Sequence, residues 1–391
     1  MDPTSMPSPE LLSHYPRIPR IPLEEWAAGS LALIAGSFDD ELSARLTQFS
    51  AINNAALIFT YLDDPKLAKK LCEMELAWLA SKSMDAAAAG SSSQLLHLAI
   101  DPWVNQGRLL ALARSTSEAL DCFGRVFSLT QGEDVWLGSC SITSFEWKEI
   151  ERLHPGLRST AYSVYIIESL KALSMAGDSA GVLAFLDRQR WAEGTELEKF
   201  VIEGRLNGLS QLGLHQEVME LAEEAAPDFD YFHQAVFALH SAESGYVLGV
   251  NNARRVACGL ASLLCGGAFE GIPKTTMLRF VLRLGELLER LTEPDAALVT
   301  YVKGLESATT VNDQPAQWEF LRALLRLPVA HCLYTEWTQQ LCRIIGTTDY
   351  GRVRRAEGLA PNRIDERPVY VDLRRAVIGF LGGVASTVPP T

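Results

Sequence analysis

Apolar residues recur at three- and four-residue intervals along almost the whole chain. Leu67, Leu71, Met74, Trp78 and Leu79 form one such stripe, and Leu278, Val281, Leu282, Leu284, Leu287 and Leu288 form another. A period near 3.6 is the signature of helices that bury one face. Alternating runs are few: Tyr162–Ile167 and Val369–Val371 are local strand candidates, and both lie beside helical periodicity. Pro65, Pro102, Pro155, Pro227, Pro273, Pro294, Pro315, Pro328, Pro361 and Pro368 fall mostly at breaks in the pattern. Proline is tolerated in a first helical turn and not in a helix interior, so these positions mark helix starts and corners. The pattern predicts an all-α chain. Ala86–Ser93 reads as a loop between helices and Gly132–Ser144 as a longer connection without helical character.

A weaker regularity lies on top of the helical one. Trp103, Gly107, Leu110, Ala119 and Phe123 stand at offsets −4, 0, +3, +12 and +16 from the glycine. Val281, Gly285, Leu288, Ala297 and Tyr301 repeat those offsets, and Ile52, Ala56, Phe59, Ala68 and Cys72 do so with a smaller last residue. Looser copies are centred on Leu170 (with Ile166, Leu173, Val182 and Leu186), Leu206 (with Ile202, Leu209, Val218 and Ala222) and Ala242 (with Ala238, Gly245 and Cys258). Small residues at 0 and +12 allow two helices of a hairpin to approach closely. Large residues at −4 and +16 are expected to fill the space between hairpins. Gly177 and Gly213, at +7, sit where the turn needs left-handed backbone.

The sets Trp103, Gly107, Ala119, Phe123 and Leu284, Gly285, Ala297, Tyr301 resemble the tetratricopeptide (TPR) helical repeat. The anchors at 56, 107, 170, 206, 242 and 285 lie 51, 63, 36, 36 and 43 residues apart, against about 34 in a regular array. The resemblance implies a right-handed solenoid of antiparallel helix pairs. The expected organisation is a proline-rich arm over 1–22, a repeat domain over 23–345, and a loop with a C-terminal element over 346–391. A generic helical bundle, which also gathers small residues at close crossings, is the competing architecture. In TPR-like chains the first helices line a concave groove that holds a peptide or partner protein. Here that face, at offsets −6, −3 and +1, carries Asn53, Asp101, Arg108, Lys171, Glu203, Asn207, Arg279, Leu282 and Glu286. These residues are the candidate partner-binding groove. Their mixed charge does not match the paired Lys and Asn clamp by which one variant holds a terminal carboxylate.

Composition narrows the function further. Among 391 residues, 35 Lys and Arg face 48 Asp and Glu, a net charge of −13. Such a surface repels phosphate, which disfavours nucleic acid and anionic lipid as partners. The segment 1–22 holds six prolines and lacks the apolar core of a secretory signal. Ala376–Ala385, the longest uncharged apolar stretch near the C-terminus, is too short to span a bilayer. Seven scattered cysteines without a CxxC pair predict buried reduced thiols in a cytoplasmic protein, with no zinc knuckle.

Candidate chemistry is sparse. Glu151 and His154 have the ExxH spacing of di-iron bundles, but no second such pair occurs, and Pro155 puts His154 at a helix end. His233 and His240 lie seven apart, with Glu243 three further on, and are the candidate catalytic residues of an acid–base or metal site. No phosphate loop, nucleophile elbow or HExxH helix occurs, and no metal or cofactor is expected. Arginines 352, 354, 355, 363, 367, 374 and 375 are interleaved with Asp349, Glu357, Asp365, Glu366 and Asp372, which suits a solvated or intramolecular packing role. The expected function is therefore a cytoplasmic adaptor holding a peptide or partner in its groove. The alternative is an enzyme or small-molecule-binding protein that uses the helical shell as scaffold.

Overall fold

A computed structural model describes residues 11–12, 22–36, 41–87, 96–189, 194–328, 333–360 and 367–385. Most of the proline-rich arm, most of the expected loop over Ala86–Ser93, Pro361, Cys332, Arg363, Asp365 and Glu366 lie outside the described residues. The described residues hold eighteen α-helices and one two-stranded hairpin, and they form two compact units. The fold is all-α.

The first unit comprises Ile21–Ala172 with Asp349–Thr391. It contains α1 (Leu23–Ala35), α2 (Glu41–Tyr61), α3 (Pro65–Ala87), α4 (Ile100–Leu112), α5 (Thr116–Thr130), β1 (Val135–Leu137), β2 (Cys140–Ile142), α6 (Ser144–Leu153), most of α7 (Leu157–Ala176), α17 (Gly351–Ala356) and α18 (Pro368–Ala385). The second unit comprises Leu173–Thr348 with the N-terminal residues Leu11 and Leu12. It contains α8 (Ser179–Leu186), α9 (Glu198–Gln211), α10 (His215–Ala225), α11 (Tyr231–Val247), α12 (Asn252–Cys265), α13 (Lys274–Arg290), α14 (Pro294–Thr310), α15 (Gln314–Arg326) and α16 (Tyr334–Thr347). Pro65, Pro294 and Pro368 open their helices, Pro315 is the second residue of α15, and Pro273 is the residue preceding α13. Both strand candidates are helical: Tyr162–Ile167 lies within α7 and Val369–Val371 within α18. The strand-like local composition yields there to the longer helical period around it. Conversely, the connection over Gly132–Ser144 contains the only sheet among the described residues, β1–β2, with Val135 opposite Ile142. Acidic side chains cap several helices: Asp178 accepts the Gly181 N–H, and Asp313 accepts the Ala316 N–H.

All six repeat anchors lie on the first helix of a consecutive pair, and the +12 residues fall on the second. The pairs are α2/α3, α4/α5, α7/α8, α9/α10, α11/α12 and α13/α14. The same turn joins each of them. At +7 the backbone is left-handed in every copy: Asp63 (φ 69°), Arg114 (65°), Gly177 (72°), Gly213 (76°), Gly249 (71°) and Thr292 (60°). In every copy the N–H at +8 donates to the carbonyl at +3, over 2.8 to 3.0 Å. This is the Schellman closure of a helix C-terminus, in which the turn residue must tolerate positive φ. Gly177 and Gly213 were recognisable for that role. Asp63, Arg114 and Thr292 fill it against the steric preference of L-residues.

The small-residue contacts differ from expectation in one respect. The aromatic residues at +16 lie inside their own hairpin. A Cβ on Gly107 would sit 2.5 Å from the Phe123 ring, and one on Gly285 would overlap the Tyr301 ring. Gly304 and Phe320 repeat the arrangement between α14 and α15. Each of these three glycines is thus a notch that receives a ring, sixteen residues on, from the facing helix. Trp103, at −4, also serves its own pair: its indole N–H donates to the Cys122 carbonyl at 2.9 Å.

In the first unit the C-terminal segment returns to the first helices. α18 packs on α1, α2 and α3, burying Tyr370, Leu373, Val377 and Leu381. Arg367 bridges Asp349 (2.7 Å) and Glu24 (2.9 Å), and Arg355 pairs with Asp63 at the α2/α3 turn. The described part of the arginine-rich segment therefore has an intramolecular use. No helix among the described residues is long and apolar enough to cross a membrane.

The notch geometry makes a prediction. Tyr301 is fully buried, so its ring has nowhere to retreat. Gly285→Ala is expected to destabilise the second unit by about 1–3 kcal/mol, the usual cost of overpacking. Chemical denaturation of the variant against Gly259→Ala, where a Cβ meets nothing within 4 Å, checks it; equal midpoints would refute the notch.

Candidate functional site

The first helices of successive pairs carry polar side chains into the interior, and these meet one another across the pairs. In the first unit they form a continuous string. Asn105 Nδ2 donates to Asn53 Oδ1 at 2.9 Å, joining α4 to α2. Arg108 Nη1 donates to Asn105 Oδ1 at 2.9 Å, and its Nη2 pairs with Glu168 Oε1 of α7 at 3.0 Å. Lys171 Nζ lies 3.2 Å from the same Glu168 oxygen. Asn53, Arg108 and Lys171, three candidates from separate helices, are thus brought into one network. They are linked by Asn105 and Glu168, which sequence reasoning had not singled out. Burial works against the Glu168 charge, but the Arg108 and Lys171 cations outweigh it and hold the carboxyl down to about 2. Asp101 is exposed in the first turn of α4.

One turn inside the same unit, Glu75 of α3 is completely buried, and neither carboxylate oxygen has a hydrogen-bond partner among the described residues. Burial, with a further push from the Asp101 charge, raises its pKa well above the ordinary carboxylate range. The nearby Cys72 thiol is raised as well, chiefly by burial; Cys122 and Cys140 are pushed up to about 11 and about 12. Such thiols are protonated and unreactive at neutral pH.

The second unit repeats the design with more charge. Glu203 and Asn207 lie one turn apart on α9, His240 and Glu243 on α11, Arg279, Arg283 and Glu286 on α13, and Glu319 on α15. Arg283 Nη2 reaches both oxygens of Glu243, at 2.7 and 2.8 Å. Arg279 Nη1 lies 3.7 Å from Glu319 Oε2. Burial raises the Glu286 carboxyl despite the Arg283 and Arg290 charges, and Leu282 beside them is packed in the core. Glu203 has no exposed surface. Its Oε1 lies 3.9 Å from His240 Nε2 and accepts the backbone N–H of Leu12. Leu11 and Leu12 are themselves buried, at 3% and 2% exposure. Beside this contact, Asn207 Nδ2 and His240 Nε2 are buried polar atoms without a hydrogen-bond partner among the described residues.

The three candidate catalytic residues have separate environments. His233 Nδ1 lies 2.6 Å from Asp230 Oδ2, and Asp230 caps the start of α11 through the Phe232 and His233 N–H groups. Partial burial works against the Asp230 charge, but those donors hold its pKa below the ordinary range. His240 faces Glu203, and Glu243 pairs with Arg283. Elsewhere, Glu151 is paired with Arg158 rather than joined to His154, which closes α6 and stacks on His97 with ring centroids 4.0 Å apart. No group of three or more His, Cys, Asp or Glu among the described residues could hold a metal ion.

A positional signal for the missed residues exists. Offset −2 from four of the six anchors gives Asn105, Glu168, Arg283 and the already named His240, all of them buried, whereas the other two give half-buried Asn54 and buried Gly204. That position lies four residues after −6 and three before +1, on the same helical stripe. A polar residue recurring there amid apolar neighbours marks the face where successive pairs meet.

The two buried glutamates of the first unit should respond to pH with opposite sign. Glu168 has a lowered pKa, so its stabilisation is complete above the ordinary glutamate value and is lost as pH falls from there towards about 2. Its shift corresponds to something on the order of 3 kcal/mol at neutral pH. Glu75 has a raised pKa, so its contribution is fully present below the ordinary value and is lost as pH rises above it. Thermal melts from about pH 3 to about pH 8 should show the deficit of Glu168→Gln shrinking in acid, and any gain of Glu75→Gln growing towards neutral pH. Parallel curves would refute both assignments.

Comparison of the chain with protein-family models and with curated proteins finds no match, so the reading of this site rests on its own geometry.

Proposed function

We propose that this chain is a TPR-like binding protein, a cytoplasmic adaptor or scaffold that holds an extended peptide or partner segment. In this reading the helix pairs of each unit stack as a right-handed solenoid. The first helices, with Asn53, Asp101, Arg108 and Lys171 in one unit and Glu203, Asn207, Arg279 and Glu286 in the other, line the concave face. Six pairs with one shared turn support the repeat. The three acid–base candidates serve three different neighbours, which favours binding over catalysis.

The observation that carries the proposal is the contact between Glu203 and the Leu12 N–H. Leu12 lies outside any helix or strand, so Glu203 accepts a main-chain donor from a non-helical segment. Asn207 and His240 add further buried polar atoms on the same face. A carboxylate, an amide and an imidazole together offer acceptors and donors that complement a peptide backbone, and main-chain hydrogen bonds are a general means of peptide capture.

Selection of peptides from a displayed random library on the purified chain tests this. Enriched peptides should bind the wild-type chain and lose about tenfold in affinity with Asn207→Ala, the effect of one buried hydrogen bond. Failure to enrich any peptide, or binding indifferent to Asn207→Ala, would overturn the proposal.

A further inference from the structure

The N-terminal residues themselves identify what this face accepts. Leu11 and Leu12 are buried like core side chains, at 3% and 2% exposure. Yet they belong to no helix, and they are separated by 191 positions from the glutamate that holds them. Burying two leucine side chains offsets the cost of ordering the segment. A carboxylate with no exposed surface is costly unless it is given donors, and Leu12 supplies one through its main chain. Any amino acid but proline can give that hydrogen bond, so the specificity of the contact resides in the adjacent leucine side chains.

We propose that the segment bearing Leu11 and Leu12 is a built-in ligand of the second unit, occupying the Glu203–Asn207–His240 face in cis. A partner engages this face by presenting the same chemistry: a non-helical segment with two consecutive leucines, the second donating its N–H to Glu203. The inference rests on the peptide-binding reading above and adds the occupant and the motif. Because the segment is tethered to its site, it competes at an effective concentration of about 1 mM. A free peptide of intrinsic Kd about 10 µM would then bind the intact chain about a hundredfold more weakly than a chain whose own leucines are removed. The N-terminal segment thus sets a threshold that a partner must exceed.

The test uses the full chain and a labelled synthetic peptide of residues 8–15, with a control in which both leucines are alanine. The peptide should bind the double variant Leu11→Ala/Leu12→Ala at least tenfold more tightly than wild type, and the control peptide should bind neither. Asn207→Ala in the double-variant background should weaken the peptide. As a measurement independent of that variant's stability, amide exchange at Leu12 in the wild-type chain should be slow and should accelerate when excess unlabelled peptide is added. Equal affinity for wild type and double variant, or a fast-exchanging Leu12 amide, would overturn the cis occupancy. If library-selected peptides without paired leucines bind both chains equally, the built-in ligand fails while the peptide-binding reading stands. If no peptide binds either chain, both fail.

Discussion

The constraint on which the rest depends is the closed turn between paired helices. A left-handed residue at +7 and a hydrogen bond from +8 back to +3 fix where the first helix stops and how the chain leaves it. Once that exit is fixed, the second helix meets the first at a set register, and only certain positions face each other. Gly107 then lies under Phe123 and Gly285 under Tyr301, because sixteen residues separate them along the same closed path. The turn has not been built from one residue type. Thr292, β-branched, holds φ 60° because the Gly285–Tyr301 contact and the Glu293 to Leu288 hydrogen bond on either side determine the path around it.

The turn fixes each pair internally but not how one pair meets the next, and polar groups supply some of those contacts. Half-exposed Arg108 with buried Glu168, and Arg283 with Glu243, each join two first helices of neighbouring pairs, and Arg279 with Glu319 joins α13 to α15. Ion pairs in a low-dielectric interior are not cheap, since desolvation consumes most of their attraction. What they provide is direction. Leucines at these positions would pack in several registers, whereas Arg283 reaching both oxygens of Glu243 accepts one. The helical period alone leaves stacking underdetermined, and charge complementarity along the stripe removes that freedom.

Helix content and hairpin pairing were legible in the sequence because both follow from local rules: period 3.6, proline at helix starts, and small residues at recurring offsets. The β1–β2 hairpin was not, since Trp136 and Ser141 are too few and too mixed to show alternation. Left-handed turn positions were legible at Gly177 and Gly213, where residue type declares them, and hidden at Asp63, Arg114 and Thr292, where context imposes them. The site was legible in part. Arg108, Lys171 and Glu203 lie at the expected offsets, whereas Glu168 and Arg283 sit on the same stripe at −2, a position that becomes interior only when a neighbouring pair covers it. Long-range closure is beyond local pattern altogether: nothing in Arg367 announces Asp349 and Glu24 as partners, and nothing in Leu12 announces Glu203.

Glu75 and Glu203 are both glutamates without exposed surface, and they resolve the same electrostatic problem in different ways. Glu75 has no hydrogen-bond partner among the described residues, and burial drives it towards its neutral form. A proton there removes the charge but leaves a hydroxyl and a carbonyl oxygen without partners among the described residues. Glu203 takes a donor from the main chain of a segment outside the helical framework. Donors fixed in helices are already committed to carbonyls four residues back and cannot be exchanged. The Leu12 N–H comes from outside the helices and is under no such commitment. A buried acceptor served in this way depends on a segment that the helical framework does not itself hold in place.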